Sequence, residues 1–479
     1  MLQHCNSLSN KMDNSLLAVR DINHKYIVVE KRCFIMQTCN MVQAGYGEAD
    51  ITPDNPSEMV GFYRPDNRSR GVRDSLRLQA LVWEADGVMG GLIVIDSLGF
   101  TVELSNVLRD RAAAALHTGR ERIMVCFSHT HSAPNAAEEP DYFEMVCRQA
   151  DTAVRKAAGK MKSMEAAWGI GENTVGVNRR NEPEQMDGRL GILKLAVRDG
   201  KEPEVLLIRV TAHANVLSGD NYFISADYMG AARKRLEETY NCRVMMVQGA
   251  SGDIRPKYHQ DNLEYLEVHC CEMARNGFSQ EYRKKYGPQS RRALEQMAER
   301  IFRSVDAVYG SLVMTPLERL EIRSSFCRVA ADVPDMERAG KIAEEAQREA
   351  GIDGRMWLEE VRRLLDGGIR RQYADIEIQY LFISQGCLCG VPNEAMCRIA
   401  VDIWKEAEAP LLFFNGYTNG CSSYLPTAEE YDKGGYEVLW SNLVYFPYHG
   451  RVMPLNRDTA GIMAMQVVRD WKKGNHKSS

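Results

Sequence analysis

From residue 43 onward the chain alternates short runs with a strand-like period of two and longer runs with a helical period. Residues 78–85 and 92–98 read as adjacent strands joined at Asp86-Gly87, a hairpin-type dipeptide. An Ala-rich helix follows over 106–116. Residues 122–128 (Ile, Met, Val, Cys and Phe at their centre) read as a buried strand, and 142–160 as an amphipathic helix. Residues 193–197 and 205–211 pair across a turn near Asp199-Gly200, and a helix over 228–240 leads into a strand over 243–247. This alternation predicts an α/β domain with at least one largely buried sheet. Residues 281–374 are rich in Arg, Glu and Lys, with helical periodicity over 291–308, 336–350 and 356–365. They predict a helical insertion on the surface. Strand character returns over 376–389 and 411–415. Residues 1–42 show no clear period and read as a dispensable N-terminal extension. Residues 43–471 then form one catalytic-type domain, and 472–479 a polar tail.

Composition narrows the class. The 479 residues carry 60 basic and 65 acidic side chains, a net charge of -5, with no basic footprint for nucleic acid or an anionic membrane. Apolar residues at 44% and charged residues at 26% suit a soluble globular protein. The longest apolar stretches, 92–95 and 411–414, fall far short of the ~18 residues of a membrane span. Residues 1–42 lack the apolar core of a secretory signal. The 13 cysteines form no paired C-x-x-C pattern. They are expected to be reduced, buried thiols of a cytoplasmic protein without stable membrane association.

The sharpest chemical signal is Ser128-His129-Thr130-His131-Ser132, after the strand over 122–127. In extended geometry His129 and His131 point to the same side. They are either metal ligands or a pair of hydrogen-bonded structural histidines. His213 follows another strand, and Glu394 and Asn415-Gly416-Tyr417 follow two more. Ligands of open α/β sheets gather at such carboxyl ends. Two histidines and a glutamate make a plausible zinc set, although Glu394 alone would pass for a helix-start carboxylate. Asp50 and Thr52 read as turn or cap residues. Asp227 is either an orienting partner of a ligand histidine or a helix cap. Tyr417 and Tyr431 read as packing.

Seven stretches in order resemble the neutral/alkaline non-lysosomal ceramidase family in its N-terminal catalytic domain. They are Gly45 to Thr52; Ser128 to Pro134; Asn178-Arg179; His213 followed by Ile224 to Tyr228; Gln248 to Ile254; Gly390 to Glu394; and Asn415 through Tyr424 to Tyr431. The resemblance implies central β-sheets flanked by helices, here without that family's C-terminal β-sandwich domain. It implies one zinc ion held by His129, His213, Glu394 and Tyr424. It also implies that His131, Arg179 and Tyr436 surround the scissile group as catalytic residues.

The expected protein is therefore a metal-dependent hydrolase, an amidase that cleaves the N-acyl bond of a small molecule with Zn2+ as cofactor. An esterase or lactonase, or a metal-containing binding protein without catalysis, fits the same residues. Arg255 stands where the family carries a serine. A guanidinium there points to a water-soluble substrate with an anionic group rather than to ceramide.

Overall fold

The computed structural model describes residues 42–62, 64–198, 200, 204–258 and 280–475. Ahead of them it describes two short antiparallel strands, Ala18–Arg20 and Tyr26–Val28, within a separate compact unit, Met1–Asn40. The other expectations for residues 1–41 lie outside the described residues, and Val42 is buried in the core.

A nine-stranded mixed sheet forms the first half of the fold. Its order is Arg243–Gln248, Val205–Val210, Arg189–Val197, Lys162–Glu172, Gln43–Asp50, Arg77–Ala85, Val88–Ile95 and Ile123–Phe127, with Thr315–Pro316 paired beside Lys162–Glu172. The hairpin expected at Asp86-Gly87 is present. Both residues take positive φ, 52° and 76°, the turn geometry that matches strand twist.

In Arg77–Ala85, Val88–Ile95, Ile123–Phe127 and Val205–Val210 the side chains are largely buried on both faces, which explains their near-continuous apolar runs. Leu78, Ala80, Val82, Ile93, Ile95 and Val125 pack against the helices Val102–Ala115 and Pro140–Ala158. The alternate set, Leu81, Trp83, Leu92, Val94 and Met124, packs against Leu320, Ile322, Leu381, Leu388 and Phe413. Those residues belong to a second sheet of four strands, in the order Leu320–Asp332, Arg371–Ile383, Gly386–Gly390 and Leu412–Asn415. Its outer face, with Ile378, Tyr380, Phe382 and Phe414, is covered by the helices Cys397–Glu406 and Thr459–Asn475. The layers are helix, sheet, sheet, helix. Two buried guanidiniums bind the sheets together. Arg189 and Arg209 share the carboxylate of Asp187, and they donate to the carbonyls of Leu412 and Phe414 on the second sheet.

Three expectations change. Residues 281–374 are not wholly helical. Between the helices Gln280–Tyr309 and Met336–Ala350 lies the 13-residue strand Leu320–Asp332, paired along its length with Arg371–Ile383. Its first half buries Leu320 and Ile322 toward the large sheet, and its second half buries Cys327 and Val329 on the opposite face. No single apolar face therefore runs along it. Residues 376–389 are not one strand but a hairpin that turns at Ser384-Gln385, where Ser384 takes φ 49°. That dipeptide carries no glycine or asparagine to announce the turn. The tail is shorter than expected, because Lys472 to Asn475 continue the last helix.

The eight described cysteines are free thiols, seven of them buried. Among the described residues no helix is long and apolar enough to cross a membrane.

Candidate metal centre

The strand Ile123–Phe127 ends two residues before His129, which adopts left-handed backbone geometry, φ 61°. Such a conformation costs a non-glycine residue about 1–2 kcal/mol and persists only where its surroundings impose it. His129 and His131 therefore do not share a face through strand periodicity. The turn brings them together instead, their rings perpendicular with centroids 4.9 Å apart. Thr130 pairs in parallel with Ala214, the His131 N–H donates to the Ala214 carbonyl, and Thr130 Oγ1 donates to the Ser225 carbonyl. This bridging sets His213 beside His129, with ring centroids 4.7 Å apart.

Each imidazole is fixed through Nδ1. His129 Nδ1 meets the carbonyl of Leu98 at 2.7 Å, His131 that of Gly61 at 3.0 Å and His213 that of Ser251 at 2.7 Å. A carbonyl only accepts, so Nδ1 carries the proton and Nε2 offers a lone pair. The three Nε2 atoms are buried, have no hydrogen-bond partner, and lie in a group spanning no more than 4.8 Å. Burial, then the neighbouring His129 and His213, hold the His131 pKa well below the ordinary value. Burial, then the charge of Arg179, lower that of His213 to about 4.

Glu394 lies just beyond the strand Gly386–Gly390 of the second sheet. The parallel pair Glu394–Ala395 and Tyr424–Leu425 places Glu394 directly opposite Tyr424. Glu394 Oε2 lies 3.2 Å from His129 Nε2 and 3.3 Å from His213 Nε2. Burial opposes ionisation of this carboxyl, but the adjoining His129 and His213 overcome it and hold it well below the usual carboxylate range. A carboxylate oxygen facing imidazole lone pairs at this range is repulsive unless positive charge stands among them. That charge is either a proton on an imidazole or a metal ion. Imidazole nitrogen, carboxylate oxygen and the buried Tyr424 phenol are donors that zinc-type cations accept. The residues fit such an ion.

Of the residues expected around the substrate, His131 lies in the group itself. Tyr436 opens a turn, Tyr436–Trp440, and its ring meets that of Tyr424 edge-on at 6.3 Å. Arg179 follows the strand Gly176–Asn178, and its N–H is held by the Asp253 carbonyl. Its guanidinium donates to Glu437 at 2.6 Å, a partner that sequence reasoning missed. Arg255 lies on the opposing strand Ile254–Pro256, opposite Val177. It is half-buried, and among the described residues no hydrogen bond or ion pair ties it to the histidines or Glu394. It is not paired with Asp253 either, whose carboxylate accepts from Asn178 Nδ2 and the Cys397 N–H.

The supporting residues are also placed. Asp50 caps the Thr52 N–H, as a turn residue does. Asp227 contacts no ligand histidine. Its carboxylate accepts from the N–H groups of Val216, Leu217 and Tyr228, so it ties the loop after His213 to the start of the helix Asp227–Tyr240. Tyr417 is more than packing, because its hydroxyl reaches Glu394. Gly61 was also missed. It takes φ 103°, and a Cβ there would stand 2.6 Å from His131 Nδ1. The signal for it was a glycine in a loop, which is weak without the fold.

No protein-family model matches this chain, and no curated protein matches it by sequence. Among solved structures, neutral ceramidase from Pseudomonas aeruginosa matches with a TM-score of 0.64 at 18% identity, over 89% of this chain and 73% of that one. A ceramidase complexed with C2 matches with a TM-score of 0.64 at 16% identity, over 89% of this chain and 74% of that one. At these identities the likeness is one of fold, and this chain has a ceramidase-like fold.

Proposed function

We propose that this chain is a zinc-dependent hydrolase that cleaves an amide (N-acyl) bond in a small, water-soluble compound. One observation carries the reading. Three buried imidazoles, each fixed through Nδ1, and the Glu394 carboxylate converge in one buried group. A ceramidase-like fold around that group supports amide hydrolysis as the chemistry.

His129, His213, Glu394 and Tyr424 would hold the ion. When bound, zinc lowers the pKa of a water to about 7 and polarises a carbonyl oxygen. The remaining work falls to side chains of this chain. The neutral His131, its Nδ1 proton fixed on Gly61, presents Nε2 as a proton acceptor. Arg179, held by Glu437, supplies positive charge where a carbonyl oxygen becomes negative. Tyr436 offers a phenol beside Tyr424.

A second reading has one specific support. His131 Nε2 lies in the same group as the other two nitrogens, and three histidines with an open position also form a catalytic zinc site. In that reading His131 is a ligand.

The test combines elemental analysis with assays of N-acyl amino acids, neutral amides and esters. About one zinc per chain is expected, with amide hydrolysis lost on chelation and restored by zinc. Protein that takes up no transition metal overturns the proposal. Ester turnover without amide turnover moves it to an esterase. His131→Ala separates the two ligand readings, because zinc content survives in the first and falls in the second.

A further inference from the structure

Glu394 must be held against two imidazoles before any cation relieves their repulsion, and Tyr417 is built to hold it. The phenol donates to Glu394 Oε2 at 3.4 Å and accepts from Ser251 Oγ at 3.2 Å. The carbonyl of the same Ser251 accepts from His213 Nδ1 at 2.7 Å. The Tyr417 ring lies against His129, with centroids 4.1 Å apart and planes tilted by 33°. One buried side chain thus touches Glu394 and His129 directly, and reaches His213 through Ser251.

Its backbone makes the same connection. The Tyr417 N–H donates to the carbonyl of Asn393, the residue before Glu394. The Tyr417 carbonyl accepts from Phe127, the last residue of the strand that leads to His129. Tyr417 takes φ 51°, an uncommon conformation for an aromatic residue. The same loop turns again at Asn419, φ 57°. Across these turns the loop runs back along the strand Ile123–Phe127, where Thr418 bridges Cys126 and the Asn419 N–H donates to the Val125 carbonyl.

We infer that Tyr417, fixed by Ser251, is a positioning residue that sets the spacing of Glu394 against His129 and His213 for metal binding. The inference rests on the metal reading above. It differs from a packing role in one respect that can be measured, because phenylalanine keeps the ring and loses only the hydroxyl.

The experiment uses the full chain and reads zinc affinity by competition with a chelator. Thermal unfolding of the metal-free protein is measured alongside. Tyr417→Phe is expected to lower zinc affinity about 10–100-fold, the range for partners that orient metal ligands, with little change in metal-free unfolding. Ser251→Ala, which removes the hydroxyl and keeps the carbonyl, is expected to reproduce a lesser part of that loss. It also serves as the reading if Tyr417→Phe fails to fold. Wild type that binds zinc, with both variants within about twofold of it, overturns the inference and leaves the metal reading standing. Wild type that takes up no zinc overturns both.

Discussion

The two sides of the candidate centre are built differently. The histidine side grows from the nine-stranded sheet. His129, His131 and His213 follow strand ends, sit in buried surroundings and are locked by three backbone carbonyls. The other side follows the strands Gly386–Gly390 and Leu412–Asn415 of the four-stranded sheet. Glu394 and Tyr424 stand on two-residue strands held by side chains: Asn393 Nδ2 donates to the Ser423 carbonyl, and Arg451 donates to Ser423 Oγ. The difference lies in how each side is made rigid. Main-chain acceptors orient the imidazoles, so these depend on the fold as a whole. The carboxylate depends on a few polar side chains, and single substitutions can reach it.

The largest effects come from removing one member of each side. His213→Ala and Glu394→Ala are both expected to abolish zinc binding and drop amide turnover by at least about 10³, beyond the 10–100-fold typical of supporting partners. The metal-free proteins should separate them. Glu394→Ala removes a buried carboxylate whose desolvation cost offsets its attraction to His129 and His213, so it is expected to cost less stability than His213→Ala. His213→Ala opens a cavity and strands the Ser251 carbonyl, at a cost of about 1–3 kcal/mol. Equal unfolding midpoints for the two variants would dissolve the contrast.

Arg179 comes next, on the substrate side. Arg179→Ala is expected to keep zinc bound and to lower turnover about 10²–10³-fold, the usual loss of one donor at a developing oxyanion. Its partner complicates the charge, because Glu437 at 2.6 Å already neutralises part of it. Glu437→Gln should therefore lower turnover far less than Arg179→Ala. Loss of zinc from Arg179→Ala, as complete as from His213→Ala, would show that the arginine supports the metal side.

Asp227 tests the histidine side through pH. Burial raises its pKa to about 6, against about 4 in an unfolded chain. A carboxyl shifted upward contributes stability that is fully present below about pH 4 and is lost as pH rises through about 6. From pH 7 to pH 5 the metal-free wild type should therefore gain about 1.4 kcal/mol relative to Asp227→Asn, which cannot titrate. Urea unfolding of both proteins at these two pH values reads the difference. A constant gap would mean that the carboxylate stays ionised throughout, stabilised by the three N–H groups it accepts from.

The asymmetry also explains what the sequence made legible. The α/β layering was readable, because strands buried on both faces leave apolar runs such as Ile123–Phe127, and helices leave a clear period, as in Met336–Ala350. The histidines were readable because His129 and His131 are close in sequence and His213 follows a strand. The mechanism of their convergence was not, because a left-handed His129 leaves no compositional mark. Lys162–Glu172, central to the large sheet, escaped notice: residues such as Lys162, Ser163, Glu165 and Gly169 mask its alternation. On the carboxylate side Glu394 was legible as a residue after a strand end, but Tyr424 only through resemblance, since no period connects the two and their strands are two residues long. Glu437, Gly61 and the hydroxyl of Tyr417 act through pairings that only folding creates.

The smallest expected effect belongs to Arg255, on neither side of the centre. It lies on a strand that adjoins both sides: the Ile254 carbonyl accepts from the His213 N–H, and the strand pairs with Gly176–Asn178, just before Arg179. Ile254 and Pro256 are buried, so the alternation of the strand turns Arg255 to the other face, where it is half-buried. A guanidinium in that position is screened by water, and an ion pair with a substrate anion is worth up to about 1 kcal/mol, roughly fivefold in affinity. Arg255→Ala should therefore raise KM for a short N-acyl amino acid by roughly fivefold, leave kcat and zinc content unchanged, and leave a neutral amide unaffected. The effect should shrink in high salt, as screening of an exposed pair requires. An equal rise in KM for the neutral amide would remove the charge from the explanation. A fall in kcat would place Arg255 among the groups that act on the reacting carbonyl, and would join the ribbon that carries it to the substrate side of the centre.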